Sequence, residues 1–273
     1  MKFSKMHGLG NDYIYVNCFE ETVEDPASLS VKLSDRHFGI GGDGLILILP
    51  SQKADFRMRM FNADGSEGEM CGNAIRCVGK YVYDRGMTTK TEVTVETLAG
   101  IRKLTLFPGK DNKIEQVRVW MGEPKFSDTH QIADFLFDQY PVQVQVKDRN
   151  FTLYSVSMGN PHTVAVVSDV AGYPVQEYGE LIQKLSIFPY SVNVEFVEVV
   201  DPDTMIMRVY ERGSGETMAC GTGACASAAA MMRLGKLNKT ANVRLPGGVL
   251  KIEWASDGIY MTGPATHVFD GEI

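Results

Sequence analysis

Two cysteines in this sequence stand where chemistry is possible. Cys71 and Cys220 each precede a glycine, Gly72 and Gly221, where a Gly-rich turn gives way to a helical stretch. A thiol at a helix start feels the positive end of the macrodipole, which lowers its pKa. The first-turn N–H groups beside it have no acceptor within the helix and can hold a carboxylate. Each site therefore offers a base beside an anion cradle, and having two of them points to one reaction. Inverting a stereocentre needs a base on one face of a carbon and an acid on the other. The hard step is removal of a weakly acidic α-proton, and first-turn donors would stabilise the charge that spreads into an α-carboxylate. The other cysteines, Cys18, Cys77 and Cys225, lack this context and read as small buried apolar residues.

The elements that must position these thiols show up as an internal repeat. Gly10-Asn11 recurs as Gly159-Asn160, and 160 − 11 = 149. Met58-Arg59-Met60-Phe61 recurs as Met207-Arg208-Val209-Tyr210, again at 207 − 58 = 149. Cys71-Gly72 and Cys220-Gly221 keep the same offset, 220 − 71 = 149. Each half has an alternating strand-like segment (Phe56, Met58, Met60; Met205, Met207, Val209), then a Gly-rich turn, then a helical stretch at 71–85 or 220–234 that ends in Gly86 or Gly235. Residues 226–232 are small and apolar all round, which predicts a buried helix. Further strands are expected at 91–96, 117–121, 142–146, 163–167, 192–200 and 243–252. The predicted class is a mixed α/β (α+β) fold of two similar lobes from a duplication. The first lobe covers 1–121, joined by 264–273, and the second covers 122–263, with the boundary at the turn Met121-Gly122-Glu123-Pro124.

Composition narrows the partners. The chain has 273 residues and a net charge of −7, with no Lys/Arg run, which argues against nucleic acid. The longest aliphatic run, 45–49, is far too short to span a bilayer, and the first eleven residues hold no apolar signal region. An odd count of five cysteines argues against a disulfide framework. No C-x-x-C or H-E-x-x-H occurs, which disfavours zinc. The expectation is a cytoplasmic enzyme with reduced thiols and no metal.

The motifs around the thiols resemble those of the diaminopimelate epimerases. Asn62-Ala63-Asp64-Gly65-Ser66 followed by Cys71-Gly72-Asn73-Ala74-Ile75-Arg76-Cys77 is similar to the first signature of that family. Glu211-Arg212-Gly213-Ser214-Gly215 followed by Ala219-Cys220-Gly221-Thr222-Gly223 is similar to the second. Lys5-Met6-His7-Gly8-Leu9-Gly10-Asn11-Asp12, Met158-Gly159-Asn160-Pro161-His162 and Leu245-Pro246-Gly247-Gly248 fit as well, so the resemblance spans essentially the whole chain. It implies two lobes, each a mixed sheet wrapped around a central helix, and a homodimer. It implies interconversion of LL- and meso-2,6-diaminoheptanedioate, a precursor of lysine and peptidoglycan, with no cofactor. By motif position Cys71 and Cys220 become the acid–base pair, and His162 and Glu211 the groups that tune them. Asn11, Asn62, Asn160, Asn193 and the pair Glu211-Arg212 become substrate ligands, with Gly72-Asn73 and Gly221-Thr222 as the carboxylate-binding helix starts. A substrate with two amino-acid ends does need carboxylate and amide oxygens for its ammonium groups and an arginine for its far carboxylate. Two positions depart from the family. Gly44 stands where some members carry a substrate-contacting glutamine, and Phe269 where some carry a tyrosine linked to the dimer contact.

Other readings have weaker support. Gly39-Ile40-Gly41-Gly42-Asp43-Gly44 matches G-x-G-x-x-G, but a strand-like run follows it where a dinucleotide site needs a helix. A thiol hydrolase would pair Cys220 with His162 and leave Cys71 idle. A racemase of another amino acid, or a non-catalytic binding protein on the same duplicated fold, would share the repeat.

Overall fold

The computed structural model describes all 273 residues. It divides into two compact units, Met1–Trp120 with Thr262–Ile273, and Met121–Met261. In chain order the elements begin with β1 (Lys2–Gly8), β2 (Asn11–Asn17), α1 (Pro26–Ser34), β3 (Gly44–Leu49), β4 (Phe56–Asn62), β5 (Glu67–Gly68), α2 (Gly72–Asp84), β6 (Glu92–Thr97), β7 (Gly100–Pro108) and β8 (Ile114–Gly122). They continue with β9 (Lys125–Phe126), β10 (Val142–Val146), β11 (Arg149–Ser157), β12 (Pro161–Val166), α3 (Val175–Gln183), β13 (Asn193–Asp201), β14 (Thr204–Glu211), β15 (Gly215–Thr217), α4 (Gly221–Arg233), β16 (Thr240–Leu245), β17 (Gly248–Ala255), β18 (Gly258–Pro264) and β19 (Thr266–Glu272).

The repeat is built into the elements. α2 and α4 differ by 221 − 72 = 149 at their starts and 233 − 84 = 149 at their ends. α1 and α3 obey the same offset, 175 − 26 = 149 and 183 − 34 = 149. Pairing repeats too. β1 is antiparallel to β2, β2 parallel to β3, and β3 antiparallel to β4. β11, β12, β13 and β14 follow the same order of directions.

Each unit buries one helix. In α2, Ile75, Cys77, Val78 and Val82 are fully buried, and α2 packs against β1, β2 and β7. Each such aliphatic side chain contributes about 1.5–3 kcal/mol by leaving water. α4 is built of alanine and methionine, strong helix formers, and is buried on all sides against β11, β12, β13, β14, β16 and β17. The second helix of each unit packs on other strands: α1 on β2, β3 and β4, and α3 on β10, β13, β14 and β15.

Two local expectations change. Residues 243–252 form two strands, β16 and β17, and not one, because Pro246-Gly247 interrupts the ladder and turns the chain into a hairpin. The helices α1 and α3 add to the expected set. Asp25 caps α1 by accepting from the Ser28 N–H, and Pro26 occupies its first position.

Candidate active site

Three neighbouring strands bring the first group of site residues together. Tyr13 on β2 stands opposite Gly44 on β3, and Gly44 opposite Asn62 on β4. Residues in one row across a sheet point to the same face. Just beyond, Asn11 opens β2 and Cys71 caps α2. The Cys71 sulfur accepts from the Ala74 N–H at 3.5 Å and lies 3.3 Å from Asn11 Oδ1. Asn73 Nδ2 donates to the same oxygen at 3.3 Å. Asn11 is itself held from behind, because its Nδ2 donates to Asp43 at 2.6 Å. Burial alone would raise Asp12, yet Arg36 and Lys5 pull its carboxyl below the usual range, and Arg36 also clamps Asp43 at 2.9 Å. The Tyr13 phenol is pushed well above its ordinary pKa by burial first, then by Cys71 and Asp43, and stays neutral.

Gly44 has a steric reason. A Cβ added there would sit 2.0 Å from the Phe61 carbonyl oxygen, so this backbone accepts glycine alone. Only its main chain is available to a ligand. Asn62 donates to Ser66 Oγ at 2.9 Å within the turn that leads toward Cys71.

The second group is built on the equivalent elements with different side chains. Cys220 caps α4, accepts from the Gly223 N–H at 3.4 Å, and lies 3.6 Å from the Thr222 hydroxyl. Asn160 Nδ2 donates to that hydroxyl at 3.3 Å, and Asn160 Oδ1 lies 3.0 Å from His162 Nε2. His162 Nδ1 meets Glu195 Oε1 at 2.7 Å, with both side chains fully buried. Glu211 accepts from Thr217 Oγ1. Asn193 is committed to the backbone: it donates to the Pro161 carbonyl and accepts from the Arg212 N–H, each at 2.9 Å. It thereby sets the course of the chain at Arg212, whose exposed guanidinium reaches the Tyr190 carbonyl at 3.2 Å.

The offset of 149 pairs these groups residue by residue: Asn11 with Asn160, Tyr13 with His162, Gly44 with Asn193, Asn62 with Glu211, Asn73 with Thr222. One unit surrounds its thiol with amides and a phenol. The other surrounds its thiol with an imidazole and two carboxyls. The electrostatic consequence departs from the expectation of a lowered thiol pKa at both helix starts. Cys220 is raised well above the ordinary value, by burial first and then by Glu211 and Glu195. Burial in an apolar first turn outweighs the helix dipole there. Glu211 is raised as well, by burial first and also by Glu195, against the opposing pull of Thr217, Cys220 and His162. A carboxyl raised toward neutrality beside a thiol is suited to exchange a proton with it.

Tyr13, Asp43, Arg76 and Glu195 belong to these groups and were assigned no role from sequence: Asp43 and Arg76 stand inside quoted motifs, whereas Tyr13 and Glu195 lie outside them. Arg76 is fully buried in α2 and donates to the Gly72 carbonyl at 3.0 Å, Asn73 Oδ1 at 2.9 Å and the Pro264 carbonyl at 3.1 Å.

Comparison with known proteins follows the same residues. Residues 3–127 and 154–268 match the family profile described as diaminopimelate epimerase. A diaminopimelate epimerase of Acetivibrio thermocellus is 55% identical over 278 aligned residues, covering 100% of this chain and 98% of that protein. One from Methanococcus maripaludis is 52% identical, covering 100% and 99%. Among solved structures, a phenazine biosynthesis protein of the PhzF family from Bacillus anthracis superposes with a TM-score of 0.74 at 17% identity, covering 100% of this chain and 98% of that one. A hydroxyproline epimerase from Agrobacterium vitis gives 0.71 at 16% identity, covering 99% and 91%. At such identities these two structures share the fold.

Proposed function

The chain belongs to the diaminopimelate epimerase family, and from that premise we propose that it interconverts LL- and meso-2,6-diaminoheptanedioate with Cys71 and Cys220 as its acid–base pair. It is an isomerase of lysine biosynthesis. The observation that supports the two-thiol reading is the pair of cysteine N-caps on α2 and α4, placed identically in the repeat and surrounded by different proton-handling groups.

In one direction Cys71 sulfur takes the α-proton, and the C–H electron pair passes into the α-carboxylate. Cys220 then gives its proton to the opposite face, leaving Cys71 protonated and Cys220 as thiolate. The reverse direction exchanges the roles. Glu211 resets Cys220 through the proton they share. Gly72 and Asn73 in the first turn of α2, with Gly221 and Thr222 in that of α4, supply donors where intrahelical acceptors are absent. Asn11 and Asn160 orient the groups beside each sulfur, and Gly44 contributes backbone only. Asn62, Glu211 and Arg212 meet the distal ammonium and carboxylate, with Asn193 as the brace of Arg212. Five free cysteines suit the reducing cytoplasm. The working form is a homodimer whose contact includes Phe269.

Proton NMR in deuterium oxide with LL-diaminopimelate tests the reading. Early in the reaction the meso product should carry deuterium at Cα while unreacted LL substrate keeps protium. Label appearing in both pools at one rate would indicate a single base, and no exchange would indicate another activity. Cys71→Ala and Cys220→Ala should each lower kcat by about 100- to 10,000-fold. Near-normal turnover of either variant would refute the two-thiol mechanism.

A further inference from the structure

Glu195 lies in β13 between the buried Val194 and Phe196, and its own side chain is wholly buried. One oxygen meets His162 Nδ1 at 2.7 Å, and the other, Oε2, has no hydrogen-bond partner. A half-satisfied buried carboxyl destabilises a fold and calls for a reason other than packing. The repeat shows that packing does not need it. The equivalent position, 195 − 149 = 46, holds Ile46, and position 162 − 149 = 13 holds Tyr13. The same strands are thus built without this pair. Space for the carboxyl is also specific to this unit. A Cβ added at Gly223 would lie 2.7 Å from Glu195 Oε1 and 3.2 Å from Cys220 sulfur, whereas the equivalent residue in α2 is Ala74. Glu195 therefore reaches the first turn of α4 at Gly223, where no side chain stands in its way, and bonds to His162.

We propose that Glu195 is a positioning residue for the Cys220 half of the site, fixing His162 with its hydrogen on Nδ1. An ionised carboxylate only accepts, so the nitrogen facing it must donate. With Nδ1 donating, Nε2 can only accept, so in this state the Asn160 amide presents Nδ2 to Nε2 and its oxygen to the Thr222 hydroxyl, the end-for-end arrangement of the contacts at 3.0 Å and 3.3 Å. The contacts continue from Asn160 to Thr222 at 3.3 Å and from Thr222 to Cys220 sulfur at 3.6 Å. Beside the direct effect of its charge on Cys220, Glu195 orders the groups around the thiol through this series, and it does not touch substrate. The inference rests on the reading that Cys220 moves a substrate proton.

Nitrogen-15 NMR of the full chain with labelled histidine, His162 assigned by loss of its signals in His162→Gln, tests it. Wild-type protein should show hydrogen on Nδ1 of His162, and Glu195→Gln should show a mixture of tautomers. Glu195→Gln should also lower kcat by about 10- to 100-fold, the range for a partner that orients a functional histidine. KM should change less than about twofold, because substrate contacts are untouched. A bare Nδ1 in wild type, or wild-type kcat in Glu195→Gln, would overturn the proposal. The wild-type spectrum needs neither turnover nor a folded variant. It decides the placing of the hydrogen even if the protein fails to epimerise diaminopimelate, a failure that would count against the function alone.

Discussion

Burial and two carboxyls hold the proton on Cys220 in the ligand-free protein, and this has a measurable sign. The thiolate is disfavoured, so the sulfur should react with iodoacetamide only at pH values above those of a free thiol, about 8.5. Removing the negative charge of Glu211 relieves part of the penalty, so Glu211→Gln should move the midpoint of Cys220 alkylation to lower pH. Peptide mapping of alkylated protein across pH would follow Cys220 separately from Cys71. A wild-type midpoint at or below that of a free thiol would contradict the burial argument. At this scale the sequence was informative where a motif repeats: both cysteines, both glycines after them, and Asn11 with Asn160 were evident from spacing alone. Glu195 was not, because an isolated acid in a strand-like run reads as a solvated residue until the fold shows which face it occupies. The direction of the Cys220 shift was also out of reach. Helix position is legible in a sequence, whereas burial and the approach of carboxyls from β13 and β14 are tertiary.

The helix starts work only if their first turns are rigid, and Arg76 supplies that rigidity in α2. Its guanidinium satisfies the Gly72 carbonyl, holds Asn73 Oδ1, and so fixes the amide that meets Asn11 beside Cys71. Replacing it with methionine keeps much of the volume but leaves buried acceptors without donors. Each such orphan costs about 1–3 kcal/mol, so Arg76→Met should lower stability by about 2–4 kcal/mol in urea unfolding and weaken activity further through Asn73. A loss under about 0.5 kcal/mol would mean that these carbonyls find other donors. Elements with strong local signals were legible. The buried α4 follows from its alanine-rich stretch, and β4 and β14 follow from alternating methionines. α1 and α3 escaped because they share little composition, serine-rich in one and mixed in the other. What they share is a buried pair at i and i+3, Ser30 with Leu33 and Gly179 with Ile182, equivalent at 179 − 30 = 149 and 182 − 33 = 149. The Asp25-Pro26 start was the overlooked signal for α1. The break at Pro246-Gly247 was visible in sequence but was overridden by the valines and leucines around it.

Duplication explains why one chain can hold two similar thiol sites with different surroundings, and the last strand shows what else the molecule needs. β19 pairs with β1 and is exposed on both faces, with Val268 52% and Phe269 44% exposed. Adjacent residues of a strand point to opposite faces, so each face presents an apolar side chain to solvent. Phe3 backs Phe269 edge-on at 6.0 Å and holds the ring in place. A preorganised exposed aromatic is the usual kind of anchor in a protein interface. With 44% of Phe269 exposed, about 70–110 Å² of the roughly 150–250 Å² that a phenylalanine can bury is left for a partner, on the order of a tenth of the roughly 800 Å² that each side commits to a stable contact. Retaining phenylalanine where relatives of the family carry tyrosine keeps that area and gives up one hydroxyl. The proposed homodimer should therefore persist, and wild-type protein should sediment at twice the mass of the chain. Phe269→Asp places a charge in the contact and removes the anchor. A loss of about 2 kcal/mol or more corresponds to at least a 30-fold weaker association. The variant should dissociate toward monomer on dilution through concentrations at which wild type remains paired. Sedimentation velocity across a dilution series measures both, with circular dichroism to show that the variant is folded. Wild-type protein that is monomeric at every concentration, or a Phe269→Asp variant that associates as tightly as wild type, would remove β19 from the interface.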